Sequence, residues 1–171
     1  MKNGLVKDVF VRITKGLEGK VFARPETFVE IDQQGCLFEP RVVGVRPGQY
    51  TVFKNSDPVA HNVRISAPKR GTNRTLPSKG TSFNWWFAEA AAAPVLFNCD
   101  LHPWMRGYLF VVDHPFFGTT GADGDFAFKN LPAGVYDFEA WSDAFGSAKA
   151  KGVKIEPGVE TAVTLTFAAP K

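Results

Sequence analysis

The sequence predicts an all-β protein built from two β-sandwiches. Runs of β-branched and aromatic residues recur at short intervals, and turn residues such as Gly, Pro, Asn and Asp end each run. Sixteen Phe, four Trp and three Tyr, together with twelve Pro and sixteen Gly, favour short strands and turns over helices. Residues 88–93 have helical propensity, but Pro94 limits them to a turn or two.

The first part of the chain has the pattern of an antiparallel sandwich. Turn sequences such as Pro47-Gly48 and Asn55-Ser56-Asp57-Pro58 separate its β-rich runs. We expect strands over residues 9–13, 27–31, 41–45, 50–53, 61–65, 95–97 and 108–112. Residues 66–80 are polar and predict a loop.

A second β-rich unit begins near Thr119. Residues 136–141 alternate strictly between apolar and polar side chains, and residues 153–155 and 161–167 complete the pattern. The stretches Asp123-Gly124-Asp125-Phe126 and 130–136, with the closing Val-Thr-Leu-Thr, resemble the carboxypeptidase regulatory-like domain. That resemblance implies a small immunoglobulin-like sandwich. Because residues 4–11 read like its opening strand, we expect residues 1–22 to contribute a strand; the alternative is an extra strand of the first domain.

Charge and hydropathy limit the function classes. The net charge of +3 gives no reason to expect nucleic acid as a partner. No run of eighteen apolar residues exists, so we expect no membrane span. The first residues lack the apolar segment of a signal peptide, so either the protein is cytoplasmic or its leader has been removed.

One short segment carries a recognisable set of metal donors. Cys99, His102 and Met105 place a thiol, an imidazole and a thioether at Cys-x2-His-x2-Met spacing. Soft sulfur ligands select copper over magnesium, calcium or manganese, and two imidazoles with one thiolate and a weak axial thioether form the blue-copper site. The second imidazole must come from elsewhere, and His61, at the start of a predicted strand, is the candidate. Zinc would need further Cys or His ligands at finger spacing, which the sequence lacks.

Residues 26–113 resemble the cupredoxins, and amicyanin-like cupredoxins most closely. The matching stretches are residues 45–48, 55–63 and 99–107, and the two-residue gap before Met105 is shorter than in plastocyanin-like loops. The resemblance implies a cupredoxin Greek-key β-sandwich over residues 24–115, followed by the carboxypeptidase regulatory-like sandwich over 116–171. It also implies one copper ion, Cu(I) or Cu(II), bound by His61, Cys99, His102 and Met105. The whole chain resembles bacterial methylamine-utilisation-type proteins.

Two neighbours of these residues are expected to tune the metal. The Asn62 side chain is positioned to tie the His61 strand to the Cys99 loop, although it could equally stabilise a turn. Pro103 has no N–H, which limits hydrogen bonding around the thiolate. Cys36 is predicted to be a small buried residue, with a disulfide to a segment outside this chain as the alternative. His114 is predicted to be structural.

The donor set favours an electron carrier over an enzyme. Four protein ligands leave no open metal position, and the chain has only three His and no His-x-His pair. We expect a redox protein partner to dock on Pro103 and Trp104, near the exit through His102. Lys69 and Arg70 either steer that partner or merely solvate a loop. The alternatives are copper delivery or storage, and a binding module in the second sandwich. The resemblance implies a periplasmic or secreted protein.

Overall fold

The computed structural model describes residues 4–168, which form thirteen strands and no helix. The strands in chain order are β1 (Phe10–Lys15), β2 (Val29–Gln33), β3 (Phe38–Glu39), β4 (Val42–Val45), β5 (Thr51–Asn55), β6 (His61–Ser66), β7 (Thr72–Leu76), β8 (Ser82–Trp85), β9 (Val95–Asn98), β10 (Arg106–Val111), β11 (Phe117–Thr119), β12 (Gly134–Ser142) and β13 (Gly146–Ile155). The predicted all-β fold class is confirmed. No helix in this range is long and apolar enough to cross a bilayer.

The chain divides into two compact units. Residues 23–113 form one, here called the central unit, and residues 4–22 with 114–168 form the other, the flanking unit. Strand β1 belongs to the flanking unit, where it pairs with β11 and β12. Each unit is described by itself below.

Two sheets enclose the core of the central unit. One has the order β4-β10-β9-β6-β7 and the other the order β3-β2-β5-β8. Their facing side chains interlock through aromatic contacts, with the Phe97 ring packed edge-on against Phe38 at 4.9 Å and Phe53 at 5.5 Å between ring centroids. Two strand pairs, β4–β10 and β2–β5, are parallel. The prediction of a purely antiparallel sandwich is therefore wrong in these two places.

Close packing at the parallel β4–β10 pair explains one glycine. A Cβ atom added to Gly107 would collide with the Phe97 ring and the carbonyl of Arg41. The amide of Tyr108 donates to that same Arg41 carbonyl at 2.9 Å. Only a residue without a side chain lets β10 approach β4 here, directly after the predicted copper loop.

The strand pairing gathers three connecting segments at one end of the central unit. Because β2 and β5 are parallel and in register from Val29↔Thr51 to Gln33↔Asn55, the segments that follow them leave the sheet side by side. In the other sheet β9 runs antiparallel to β6, so Cys99, just past the end of β9, lies near the start of β6. His61 is the first residue of β6.

The flanking unit contains one four-stranded sheet in the order β11-β1-β12-β13. Buried residues such as Val11, Ile13, Phe138 and Ala140 line its inner face. Side chains from segments without strand pairing, including Phe126, Phe128, Leu165 and Phe167, cover that face. The strand predicted at 161–167 is not formed, and the likeness to a carboxypeptidase regulatory-like sandwich stays a prediction.

Two further local predictions are wrong in the central unit. The segment 66–80, predicted to be a loop, contains β7, which pairs with β6 from His61↔Leu76 to Ile65↔Thr72. The segment 88–93 forms bends instead of a helical turn, and the Ala91 amide donates to the Val111 carbonyl at 3.0 Å. Six residues are too few to nucleate a stable helix against such a competing contact.

Candidate metal centre

Three donor atoms from two distant segments meet at this end of the central unit. The Nδ1 atoms of His61 and His102 lie 2.9 Å apart. The Cys99 Sγ lies 4.0 Å from the His61 Nδ1 and 3.7 Å from the His102 Nδ1. Thus the structure brings His61 to the 99–105 loop, 38 residues before Cys99 in sequence.

Asp57 holds the His61 ring in one orientation. One of its carboxylate oxygens lies 2.9 Å from the His61 Nε2. An ionised carboxylate can only accept hydrogen bonds, so the Nε2 carries the proton and the Nδ1 presents a lone pair towards Cys99 and His102. The His61 side chain is fully buried, which excludes water from that lone pair.

Asp57 is itself held by the turn that contains it and by the turn after β2. Its two oxygens accept hydrogen bonds from the amides of Gly35 at 2.7 Å and Cys36 at 2.8 Å. The buried Asn55 side chain accepts from the Asp57 amide at 2.8 Å. Burial alone would raise the pKa of Asp57, but the hydrogen bonds from Cys36, His61 and Gly35 outweigh it and lower that pKa. Asp57 therefore stays ionised beside His61.

Asn62 connects the β6 strand to the loop after β9. Its backbone amide lies 3.5 Å from the Cys99 Sγ, and its side-chain oxygen accepts from the Asp100 amide at 2.7 Å. The same oxygen lies 3.3 Å from the Cys99 Sγ, within reach of the thiol proton. Asn62 thus bridges β6 and the loop after β9, and its influence on a bound metal stays a prediction.

Asp100 extends this connection to the protein surface. The Arg64 guanidinium approaches its carboxylate to 2.7 Å, and the side-chain amides of Asn62 and Asn73 donate to it at 3.1 and 3.0 Å. The hydrogen bond from Arg64, with those from Asn73 and Asn62, lowers the pKa of Asp100 to about 2. This network fixes the residue directly after Cys99 to strands β6 and β7.

Backbone hydrogen bonds close the 99–105 loop. The Met105 amide donates to the His102 carbonyl at 2.9 Å, and the Cys99 amide donates to the Met105 carbonyl at 3.0 Å. Met105 is buried with Cys99 in the core of the central unit. The sequence spacing of Cys, His and Met therefore corresponds to a compact, internally bonded loop.

An apolar rim surrounds the exposed side of this loop. Trp104 is 62% exposed, and its ring centroid lies 5.3 Å from that of the half-buried His102. Three further exposed apolar residues each lie within two positions of Cys36, His61 or His102 in sequence. They are Leu37, Val59 and Leu101, and with Pro103 and Trp104 they form what we call the apolar rim.

Lys69 and Arg70 lie away from this rim. They come after Ser66, the last residue of β6, which lies about 17 Å from His61 along the strand at ~3.3 Å per residue. Lys69 pairs with Glu89 at 2.8 Å, and the Arg70 guanidinium lies 3.9 Å from the centroid of the Trp86 ring. Both side chains are engaged locally, and their docking role stays a prediction.

Sequence reasoning missed two residues of the site. Asp57, which orients His61, lies four positions before it in a turn sequence. A carboxylate so close in sequence to a predicted histidine ligand was the feature that could have identified it. Cys36 is a free cysteine whose sulfur lies within 4.8 Å of a ring nitrogen of His61 and of His102. Nothing local in the sequence indicates this proximity. His114 lies in the flanking unit, where its Nε2 is 2.9 Å from the Ile13 carbonyl.

The donor atoms fit a copper ion. A cation bonded at about 2 Å to three donors in a trigonal plane places them roughly 3.5 Å apart. The observed separations of 2.9, 3.7 and 4.0 Å bracket that value. Two imidazoles and a thiolate are the in-plane set of a type 1 copper site. A copper site built on this cluster is therefore possible without moving the backbone.

Comparison with known proteins gives structural likenesses only. No protein-family profile and no curated protein sequence matches the chain. Among solved structures, a reduced amicyanin mutant is 21% identical with a TM-score of 0.46, covering 60% of this chain and 98% of that one. A purple cupredoxin from Nitrosopumilus maritimus is 19% identical with a TM-score of 0.42, covering 49% of this chain and 99% of that one.

A third likeness is to an enzyme. The copper-containing nitrite reductase from Thermus scotoductus SA-01 is 18% identical with a TM-score of 0.44, over 59% of this chain but 26% of that one.

Proposed function

We propose that this protein is a type 1 copper protein that carries single electrons between redox partners. The observation that carries the proposal is the convergence of the His61 Nδ1, the His102 Nδ1 and the Cys99 Sγ within 4.0 Å of one another. Copper, when bound, supplies a one-electron Cu(I)/Cu(II) couple. The thioether of Met105, which is buried in the same core as Cys99, would supply the fourth donor.

The surrounding residues hold His61 and Cys99 in fixed positions. Asp57 fixes the tautomer and orientation of His61, and Asn62 fixes the Cys99 loop to β6. The buried position of His61 and Cys99 excludes water. Because His61 and Cys99 are held rigidly away from water, these two donors would move little when one electron is gained or lost, which favours fast electron transfer.

Electrons enter and leave through the His102 edge. His102 is half-buried beside the apolar rim, whereas His61 and Cys99 are fully buried. Exposed Trp104 and Pro103 would contact a redox protein through a small, apolar and transient interface. We expect the surface of the redox partner that docks here to be apolar around its own redox centre.

A carrier is favoured over an enzyme because the four ligands leave no coordination position for a substrate. Copper delivery is the competing function, since the same donors also bind Cu(I). As a carrier of this kind the protein would work outside the cytoplasm, in the periplasm or secreted.

We further propose that the flanking unit is a carboxypeptidase regulatory-like domain into which the copper domain is inserted. Support comes from the division of the chain, which assigns both 4–22 and 114–168 to one unit. The pairing of β1 with β12 from Phe10↔Trp141 to Lys15↔Asp137 also supports it.

Direct electrochemistry tests the carrier function. We expect the copper-loaded full-length protein to give a reversible one-electron wave on an electrode. The His102→Gln variant should lose that wave, whereas His114→Gln, which alters the histidine outside the centre, should keep it. Tight Cu(I) binding without reversible oxidation would instead assign the protein to copper delivery or storage.

A further inference from the structure

A second thiol lies at the metal centre. The sulfur of Cys36, one ring nitrogen of His61 and one ring nitrogen of His102 all lie within 4.8 Å of one another. Cys99 is not the partner of Cys36 in a disulfide, since both cysteines are free. Two sulfurs and two imidazoles are thus grouped at one end of the central unit.

Hydrogen bonds tie Cys36 to the residues that hold the predicted ligands. The Cys36 amide donates at 2.8 Å to the same Asp57 oxygen that lies 2.9 Å from the His61 Nε2. The Trp104 indole donates to the Cys36 carbonyl at 3.1 Å. The backbone of Cys36 is therefore anchored both to the His61 side and to the 99–105 loop, so its distance to the donors is set by the fold.

Cys36 packs partly against the core of the central unit, and it does so in a strained backbone conformation. Its φ is +56°, in the left-handed region that glycine adopts far more readily than cysteine. It is only partly buried, in contrast to the fully buried Cys99. A glycine would relieve the backbone strain, and what the cysteine side chain adds in exchange is a partial contact with the core and a thiol beside the two imidazoles.

We propose that Cys36 is a second thiolate ligand of the centre in its Cu(I) form. The inference rests on the proposed copper site and deepens it. As the Cu–S bond forms, the Cys36 thiol releases its proton to solvent, which its partial exposure permits. With Cys99, His61 and His102, Cys36 would offer the cation two thiolates and two imidazoles, in addition to the Met105 thioether. A soft, monovalent cation gains most from the added sulfur, so Cys36 favours retention of Cu(I).

Thiol protection tests the proposal on the unaltered full-length protein. In the metal-free protein, iodoacetamide should alkylate Cys36, because it is the more exposed of the two thiols. After loading with one equivalent of Cu(I), we expect alkylation of Cys36, followed by peptide mass spectrometry, to slow at least about tenfold. An unchanged alkylation rate of Cys36 in the Cu(I)-loaded protein would overturn the proposal.

Substitution gives an independent readout. Cys36→Gly suits the positive φ and should fold at least as well as the native chain. We expect its Cu(I) affinity, measured by competition with a chromophoric chelator, to fall more than the roughly 10- to 100-fold that loss of an outer-sphere partner costs. X-ray absorption of the Cu(I) form should show one sulfur ligand fewer. The exposed neighbour Gln34→Ser is the matched control and should change neither quantity.

The outcomes separate this inference from the proposed function. If Cys36→Gly binds Cu(I) as tightly as the native protein and keeps the reversible copper wave, Cys36 is not a ligand and the electron carrier stands. If the native protein binds copper in neither oxidation state, the carrier proposal and the Cys36 proposal both fall. A Cys36→Gly variant that keeps the wave but loses Cu(I) affinity supports both.

Discussion

The two histidines of the centre have opposite surroundings. His61 is 0% exposed, and its Nε2 is held by a carboxylate that is itself held by two backbone amides. His102 is half-buried and lies beside an exposed tryptophan. One imidazole belongs to the interior of the sandwich and the other to its surface.

This difference gives the two histidines different roles in the proposed copper site. In the proposed copper site, the buried side would fix the position of the metal, because His61 cannot turn without breaking its contact with Asp57. The open side would face a redox partner, because half-buried His102 lies beside exposed Trp104. The predictions below test this division, beginning with the change expected to have the largest effect.

Removal of each imidazole should have different consequences. We expect His61→Gly and His102→Gly both to lose the absorption band of the Cu(II) thiolate. Added free imidazole should restore the band in His102→Gly, because the gap opens to solvent, but not in His61→Gly, where it is enclosed. His61→Gly should also be less stable to urea by about 1–3 kcal/mol, since it leaves the Asp57 carboxylate short of a partner. If free imidazole restored the absorption band equally in both variants, the proposed difference between the two histidines would be wrong.

Loss of the carboxylate behind His61 should weaken the buried side without removing a ligand. We expect Asp57→Asn to reduce copper affinity about 10- to 100-fold, as loss of an outer-sphere partner commonly does. The amide group also replaces an acceptor of the Gly35 or Cys36 N–H, so urea unfolding of the metal-free protein should show a loss of about 1–3 kcal/mol. Asp123→Asn, at an exposed site in the flanking unit, is the control. An affinity equal to that of the control would show that Asp57 does not orient His61.

Acid should weaken the hydrogen-bond network of Asp100, whereas the stability near neutral pH should not change. The pKa of Asp100 is lowered to about 2 in the folded state from about 3.9 in an unfolded chain. A depressed pKa contributes stability above the unfolded value and loses it as the pH falls towards the folded value. We expect the stability advantage of the metal-free native protein over Asp100→Asn to shrink between roughly pH 4 and pH 2. We expect the effect to be small, because solvent screens the exposed Asp100 carboxylate. If urea unfolding gives the same difference in stability between the two proteins across that range, Asp100 does not stabilise the fold through its charge.

The smallest structural effect is expected at the apolar rim. Trp104→Ala should lower stability by only about 0.5–1.5 kcal/mol and leave the copper absorption band in place, since the side chain is exposed and gives up one hydrogen bond, to the Cys36 carbonyl. The electron self-exchange rate between reduced and oxidised copies, measured by NMR line broadening, should fall because apolar docking is lost. Val135→Ala, an exposed apolar residue of the flanking unit, should leave that rate unchanged. An unchanged rate in Trp104→Ala would place the exit elsewhere.

The local part of the site could be predicted from the sequence, and the long-range part only partly. Cys99, His102 and Met105 lie on one loop, so their spacing alone indicates a metal site. The proximity of Cys36 to the centre depends on the parallel pairing of β2 with β5, a pairing that the sequence analysis did not predict. Parallel pairing places the turns after both strands at the same edge, and no periodicity in either strand reports it.

The wrong predictions of secondary structure have related causes. Strand β7, with the sequence Thr-Asn-Arg-Thr-Leu, is polar because one of its faces is exposed, so hydrophobic alternation did not mark it. Its backbone pairing with β6, which its own composition does not predict, makes it a strand. Residues 161–167 alternate like a strand, yet they cover the sheet of the flanking unit with Leu165 and Phe167 without pairing.

A Cu(II) titration followed by visible absorption tests the central claim most directly. The account predicts an intense thiolate-to-copper band that saturates at one equivalent of Cu(II) in the full-length protein. The band should be absent from Cys99→Ser, which keeps both histidines and Met105. A protein that develops no such band, or one whose band survives the loss of the Cys99 sulfur, would contradict the proposed copper centre.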